Sequence, residues 1–128
     1  MTAGGNVWTR LEAGKLQPGE FGHAGHVEAA WHLLSEAGFG EAVTRYSAAL
    51  RRVTVTMGVP EKYHETVTVA FLALVAERRA AGDDADFMSF RAANGDLFDS
   101  GILKRYYAPE VLAGETARHV FVLPIRTA

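Results

Sequence analysis

Apolar side chains recur along most of this chain with the three- and four-residue spacing of amphipathic helices. The periodicity predicts four main helices, over residues 22–37, 40–57, 61–81 and 83–93. Gly38, the turn at 58–60 and Gly82 interrupt the pattern between them. Short connections are typical of antiparallel neighbours. The sequence therefore predicts an all-α, single-domain bundle of about four main helices with up-down-up-down topology.

The two ends of the chain lack this periodicity. Residues 1–20 contain several glycines, with Trp8 and Leu11 as isolated apolar anchors, so we expect a flexible N-terminal arm with at most a short helical turn. Residues 21–128 then form the single helical domain. The run HVFVLPI near the C-terminus is apolar and β-branched but has no partner strand, so we expect an irregular tail packed on the bundle.

Composition narrows the classes of function. A chain of 128 residues suits one domain, and its net charge of −2 gives no general attraction to nucleic acid or to an anionic membrane. There is no cysteine, so any metal ligands would be His, Asp or Glu. No apolar run approaches a membrane span or a signal peptide. We expect a cytoplasmic protein that acts on a small molecule, with neither nucleic acid nor membrane as partner.

Histidines stand at the starts of two predicted helices, in FGHAGHVEAAWHLL and KYHETVT. His23 and His26 are three residues apart and lead into the apolar stripe of the first helix, so both rings should face the core. His64 leads in the same way into the stripe of the third helix. Glu65 lies about 100° further round and could point into a seam between helices.

Topology predicts that these groups converge. In an up-down-up-down bundle the first and third helices are parallel, so their N-termini share one end of the molecule, to which the turn at 94–96 also returns. The positive end of the helix dipole and burial both disfavour imidazolium. The three histidines should therefore be neutral near pH 7, as metal ligands and general bases must be.

Two mechanisms follow from this convergence. In the first, which three imidazoles favour slightly, a divalent transition metal such as Zn, Fe, Mn or Ni is held by His23, His26, His64 and Glu65. In the second, His64 is the general acid or base, and Glu65 or another histidine orients it. Tyr63 or Thr68 then stabilises the developing charge. No phosphate-binding glycine loop or dinucleotide motif is present, so neither nucleotide nor flavin is expected.

Three classes of function remain open. Either mechanism predicts a small bacterial enzyme of lyase, isomerase or cyclase type, of a kind that fits a biosynthetic pathway. The alternative is a non-catalytic sensor or carrier that binds a metal or a small ligand through the same residues. In a third interpretation the histidines only cap helices in a structural module. Apolar surface at Trp31 and Phe39 leaves a homodimer open.

The motifs also carry a resemblance. The pattern F-x-H-x-x-H-V, then A-W-x-L-L, then Y-H-E-T-x-T resembles that of a group of small bacterial helical proteins, over most of the chain after Phe21. The resemblance implies no activity, but it implies one unit formed by Phe21, His23, His26, Tyr63, His64, Glu65 and Thr68. In architecture the predicted bundle is similar to the DinB-like metal-binding bundles, which gather three histidines at one end, although their ligand spacings are not reproduced here.

Overall fold

A computed structural model describes residues 5–16, 21–83 and 85–124. Within these ranges the chain forms seven α-helices and no strand. The helices are α1 (Val7–Ala13), α2 (His23–Glu36), α3 (Phe39–Thr56), α4 (Glu65–Ala81), α5 (Phe87–Ala93), α6 (Pro109–Ala113) and α7 (Glu115–His119). Short 3₁₀ turns lie at Pro60–Lys62, Gly95–Phe98 and Ile102–Arg105. The prediction of an all-α bundle with about four main helices is confirmed.

Two predicted helices begin later than their patterns indicated. The third was expected from residue 61, but Pro60–Lys62 forms a 3₁₀ turn and α4 begins at Glu65. The fourth was expected from residue 83, but α5 begins at Phe87, after the carboxylate of Asp86 accepts a hydrogen bond from the Ser89 N–H at 2.9 Å. In both cases a capping side chain, rather than the apolar stripe, sets the first helical residue.

Helices α2 and α4 run parallel, as the topology predicted. The ring of His23 packs edge-on against Phe71, with 4.8 Å between centroids. A second contact lies eight residues further along each helix, where Nη1 of Arg79 donates a hydrogen bond to the carbonyl of Trp31 at 3.0 Å. Helix α3 joins the end of α2 to the start of α4 and therefore runs the opposite way. The start of α2 thus lies level with the first half of α4.

Helix α1 occupies part of the segment expected to be a flexible arm. Its side chains Trp8 and Leu11 are only 2 % and 1 % exposed, and the Trp8 indole N–H donates to Glu36 at 3.0 Å. Asn6 caps the helix, and Gly14 ends it with a φ of 73°, a left-handed conformation that favours glycine. Seven residues are too few to show a helical period, so the pattern missed this element. Residues 1–4 and 17–20 of the expected arm lie outside the described residues.

The C-terminal segment is hydrogen-bonded to the start of α4. The hydroxyl of Thr66, which is fully buried, donates to the carbonyl of Val120 at 2.8 Å and accepts from the N–H of Val122 at 3.0 Å. The phenol of Tyr107 donates to the carbonyl of Val122 at 2.7 Å. The part of HVFVLPI that follows α7, described as far as residue 124, is therefore held by hydrogen bonds to side-chain hydroxyls. None of the described helices is long and apolar enough to cross a membrane.

Candidate functional site

A cleft of about 380 Å³ opens between α2, α3 and α4, a volume suited to a small organic molecule. Apolar side chains form much of its wall, among them Leu50, Val67 and Phe71. Its lining also includes most of the predicted site residues, which are His23, His26, Tyr63, His64 and Thr68. Glu65 is the predicted site residue that does not line it. The start of α2 and the start of α4 thus contribute to one cleft.

His64 uses both of its ring nitrogens within the protein. Its Nδ1 accepts a hydrogen bond from the N–H of Val67 at 3.1 Å, which makes His64 the N-cap of α4. Its Nε2 lies 2.8 Å from the carbonyl oxygen of Leu112. A carbonyl only accepts, so Nε2 carries the proton. Metal binding or proton transfer by His64, as the sequence predicted, would require breaking one of these two bonds.

Glu65 is paired with Tyr63 and Arg51 and does not orient His64. The Tyr63 hydroxyl donates to a carboxylate oxygen of Glu65 at 2.6 Å, and Arg51 lies 3.3 Å from the same oxygen. The Arg51 guanidinium also lies 4.3 Å from the centre of the Tyr63 ring. Burial, helped by the hydrogen bond to Glu65, raises the pKa of Tyr63 to about 12. Tyr63 is therefore protonated at neutral pH, and its hydroxyl donates a hydrogen bond to Glu65, which does not line the cleft.

Thr68 bonds back to its own helix. Its hydroxyl donates to the carbonyl of His64 at 2.8 Å, the i−4 pattern common for threonine in helices. The same carbonyl accepts the backbone N–H of Thr68 at 3.0 Å. Thr68 thus lines the cleft, but its hydroxyl hydrogen is engaged with His64 and is not free to bond a ligand.

His26 lines the cleft and has one ring nitrogen without a hydrogen-bond partner among the described residues. Its Nδ1 lies 2.8 Å from the carbonyl oxygen of Gly22, so Nδ1 carries the proton and Nε2 holds a lone pair. Burial lowers the pKa of His26 against the opposing effect of the Gly22 hydrogen bond, and neighbouring His23 lowers it further. His26 is therefore neutral at pH 7. The Phe21 ring stacks on it with 3.9 Å between centroids.

His23 is also oriented by a hydrogen bond to a backbone carbonyl, in this case through Nε2. Its Nε2 lies 2.9 Å from the carbonyl oxygen of Leu97, in the 3₁₀ turn that follows α5. This bond leaves Nδ1 without a partner among the described residues. No buried side-chain nitrogen or oxygen in those residues lacks a hydrogen bond, so the free nitrogens of His23 and His26 are both accessible from the cleft or from solvent.

The predicted metal site is not assembled in this structure. Among the residues described, no three His, Asp or Glu side chains are grouped so that they could hold a metal ion. His64 and Glu65 are engaged elsewhere, as their hydrogen bonds show. Any metal bound here would rest on the free nitrogens of His23 and His26. Metal binding stays a prediction.

Tyr46, on α3, supports the site through a hydrogen bond to the backbone of His26. It is 2 % exposed, and its hydroxyl donates to the carbonyl of His26 at 2.9 Å. Burial raises the pKa of this phenol, so it remains a donor. The bond ties α3 to α2 directly below the histidine. A tyrosine in an otherwise aliphatic stripe is the signal that could have indicated this role.

Comparison with protein-family models, with curated proteins and with solved structures finds no match to this chain. Neither the group of small bacterial helical proteins nor the DinB-like bundles is thereby established as its family. The functional argument rests on the geometry of the cleft.

Proposed function

We propose that this protein is an enzyme that binds a small organic molecule in the cleft and uses His26 as its general acid or base. The observation that carries the proposal is an imidazole that lines a largely apolar cleft, is kept neutral by burial, and has no partner for Nε2 among the described residues. A general base needs this protonation state and a fixed orientation. The carbonyl of Gly22 supplies the orientation because it holds the proton on Nδ1.

The same hydrogen bond supports proton transfer. When Nε2 takes a proton from the bound molecule, the resulting imidazolium keeps its Nδ1–H donated to Gly22, and Tyr46 holds the backbone of His26 in place. The proton can then return to another atom of the same molecule. This chemistry suits isomerisation, cyclisation, elimination or hydration, the lyase and isomerase classes that require no second substrate other than water.

A non-catalytic binding protein is the alternative, and the hydrogen bonds of the cleft favour it in one respect. Tyr63, His64 and Thr68 donate hydrogen bonds to acceptors within the protein, so fewer groups remain to stabilise a developing charge on a ligand. Turnover of a bound molecule distinguishes an enzyme from a sensor or carrier that uses the same cleft.

Metal assistance is the second candidate mechanism, with Zn, Fe, Mn or Ni as the ion. His23 and His26 each donate one ring N–H to a backbone carbonyl, which is how metal-binding histidines are usually oriented. Water or substrate would have to supply the remaining ligands. Titration with Co²⁺, followed by its visible absorption, tests this candidate: binding lost in His23→Ala but kept in His119→Ala supports it.

The direct test is a screen of small, uncharged organic fragments by chemical shifts of the ¹⁵N-labelled protein. We expect hits to move the amide signals of Val67 and Phe71, and we expect His26→Ala to weaken them. His119→Ala is the matched control because the His119 side chain is 66 % exposed and contacts Glu115 at 3.2 Å. Hits that bind away from the cleft, or bind His26→Ala unchanged, would contradict the proposal.

A further inference from the structure

The hydrogen-bonding capacity left over in the cleft is mainly that of acceptors. His26 offers a lone pair on Nε2 and His23 offers one on Nδ1, because their other ring nitrogens donate to the carbonyls of Gly22 and Leu97. Four of the five lining side chains that carry a hydroxyl group already donate its hydrogen to an acceptor within the protein, and they are Tyr46, Thr54, Tyr63 and Thr68. What these groups present to a ligand is oxygen or nitrogen that accepts.

The cleft has few hydrogen-bond donors and few charged groups. Lys62 and Ser100 also line the cleft and can donate, but both are exposed at its edge. Among the described residues no carboxylate lines the cleft, and Lys62 is the one lysine or arginine that does. A cationic ligand would find no counter-ion, and a multiply charged anion such as a phosphate ester would meet too little positive charge.

The walls near His26 suit a flat ring. Phe71 lines the cleft and packs edge-on against the ring of His23, while Phe21, which is not a lining residue, covers one side of the His26 imidazole. Leu50 and Val67 complete an apolar surface. A planar apolar molecule can contact these faces while one polar atom reaches Nε2.

We infer that the ligand of the proposed function is an uncharged, ring-containing molecule whose hydroxyl, of phenol or enol type, donates a hydrogen bond to Nε2 of His26. The inference rests on the proposed function and adds the class of molecule to it. A phenol or enol O–H is a strong donor, and imidazole nitrogen is a strong acceptor. The methyl ether of the same molecule lacks the donor and would leave Nε2 unpaired when it covers the histidine.

Fluorine NMR with two probes tests the inference on the full chain. The probes are 4-fluorophenol and 4-fluoroanisole, which share a ring and differ in the hydroxyl hydrogen. We expect the wild-type protein to bind the phenol about tenfold more tightly or better, from the cost of an unpaired buried acceptor. In His26→Phe the ring contact is kept and the preference should fall to about twofold or less, whereas His119→Ala should keep it.

A second variant guards against loss of folding. If circular dichroism shows that His26→Phe does not fold, His26→Gln replaces it. Its side-chain amide oxygen lies near the same position and can accept a hydrogen bond, so His26→Gln should retain part of the preference for the phenol. Equal binding of both probes, with shifts at Phe71 and Val67, would overturn the inference and leave the proposed function standing. Failure of both probes to bind in the cleft at millimolar concentration would overturn the inference and count against the proposed function.

Discussion

The imidazole of His64 joins the start of α4 to Leu112 of α6, with 2.8 Å between Nε2 and the carbonyl oxygen. Its other nitrogen caps α4 through the N–H of Val67. A residue whose motif indicated a metal ligand or general base is thus engaged in two structural bonds. Since Ser, Thr, Asp and Asn are the usual N-caps, a histidine at this position is easily read as functional.

His64→Ala should destabilise the protein by about 1–3 kcal/mol. The substitution removes an N-cap and leaves the carbonyl of Leu112 without its donor. His64→Asn should restore the N-cap but not the hydrogen bond to α6, so its stability should lie between those of wild type and His64→Ala. Urea unfolding at pH 7 measures this, with His119→Ala as a surface control expected within about 0.5 kcal/mol of wild type. An unaltered unfolding midpoint in His64→Ala would show that the two bonds contribute nothing.

Thr66→Val should also be destabilising, by about 1–3 kcal/mol, although it preserves the shape of the side chain. The buried hydroxyl serves both Val120 and Val122, and valine leaves both backbone groups unpaired. Amide hydrogen exchange should accelerate at Val122. Thr68→Val is the matched control, because its hydroxyl bonds only a carbonyl that keeps a backbone partner. If Thr66→Val and Thr68→Val changed stability and hydrogen exchange equally, Thr66 would not be what holds the C-terminal segment on α4.

Trp8→Ala should cost about 3–5 kcal/mol, as expected for removal of a large buried aromatic side chain. Trp8 is 2 % exposed and its indole N–H is bonded to Glu36. Chemical denaturation gives the value. A loss below about 0.5 kcal/mol, typical of surface substitutions, would restore the interpretation of this segment as a loose arm.

The stability of the protein should depend on pH through His26. Its pKa is lowered by burial from the ordinary 6.5, so below that pH the unfolded chain binds more protons than the folded one. The contribution of His26 is therefore complete above pH 6.5 and is lost as the pH falls toward the lower folded-state pKa. The stability difference between wild type and His26→Ala should shrink from pH 7.5 to pH 5. Urea unfolding at both pH values measures it, and a difference that grows on acidification would contradict the lowered pKa.

Helical periodicity and connectivity were enough to predict that His23, His26 and His64 would face one region. The faces of α2 and α4 follow from the spacing of apolar residues, and their parallel direction follows from three helices joined by short turns. Two partners of the rings are local, the carbonyl of Gly22 for His26 and the N–H of Val67 for His64. The other two do not follow from any local pattern: His23 and His64 bond carbonyls that lie 74 and 48 residues away in the sequence, in a 3₁₀ turn and in the short helix α6. The nitrogen that stays free in His23, and the lack of one in His64, depend on those long-range contacts.

The central claim is that His26 presents an unprotonated Nε2 to the cleft while His64 has no free nitrogen. Long-range ¹H–¹⁵N correlation spectra of the histidine rings at pH 7.5 test this directly, because protonated and unprotonated ring nitrogens have distinct shifts. We expect the Nδ1–H tautomer for His26 and the Nε2–H tautomer for His64. An Nε2–H tautomer or an imidazolium at His26 would contradict the account, because the cleft would then lack the acceptor on which the proposed chemistry depends.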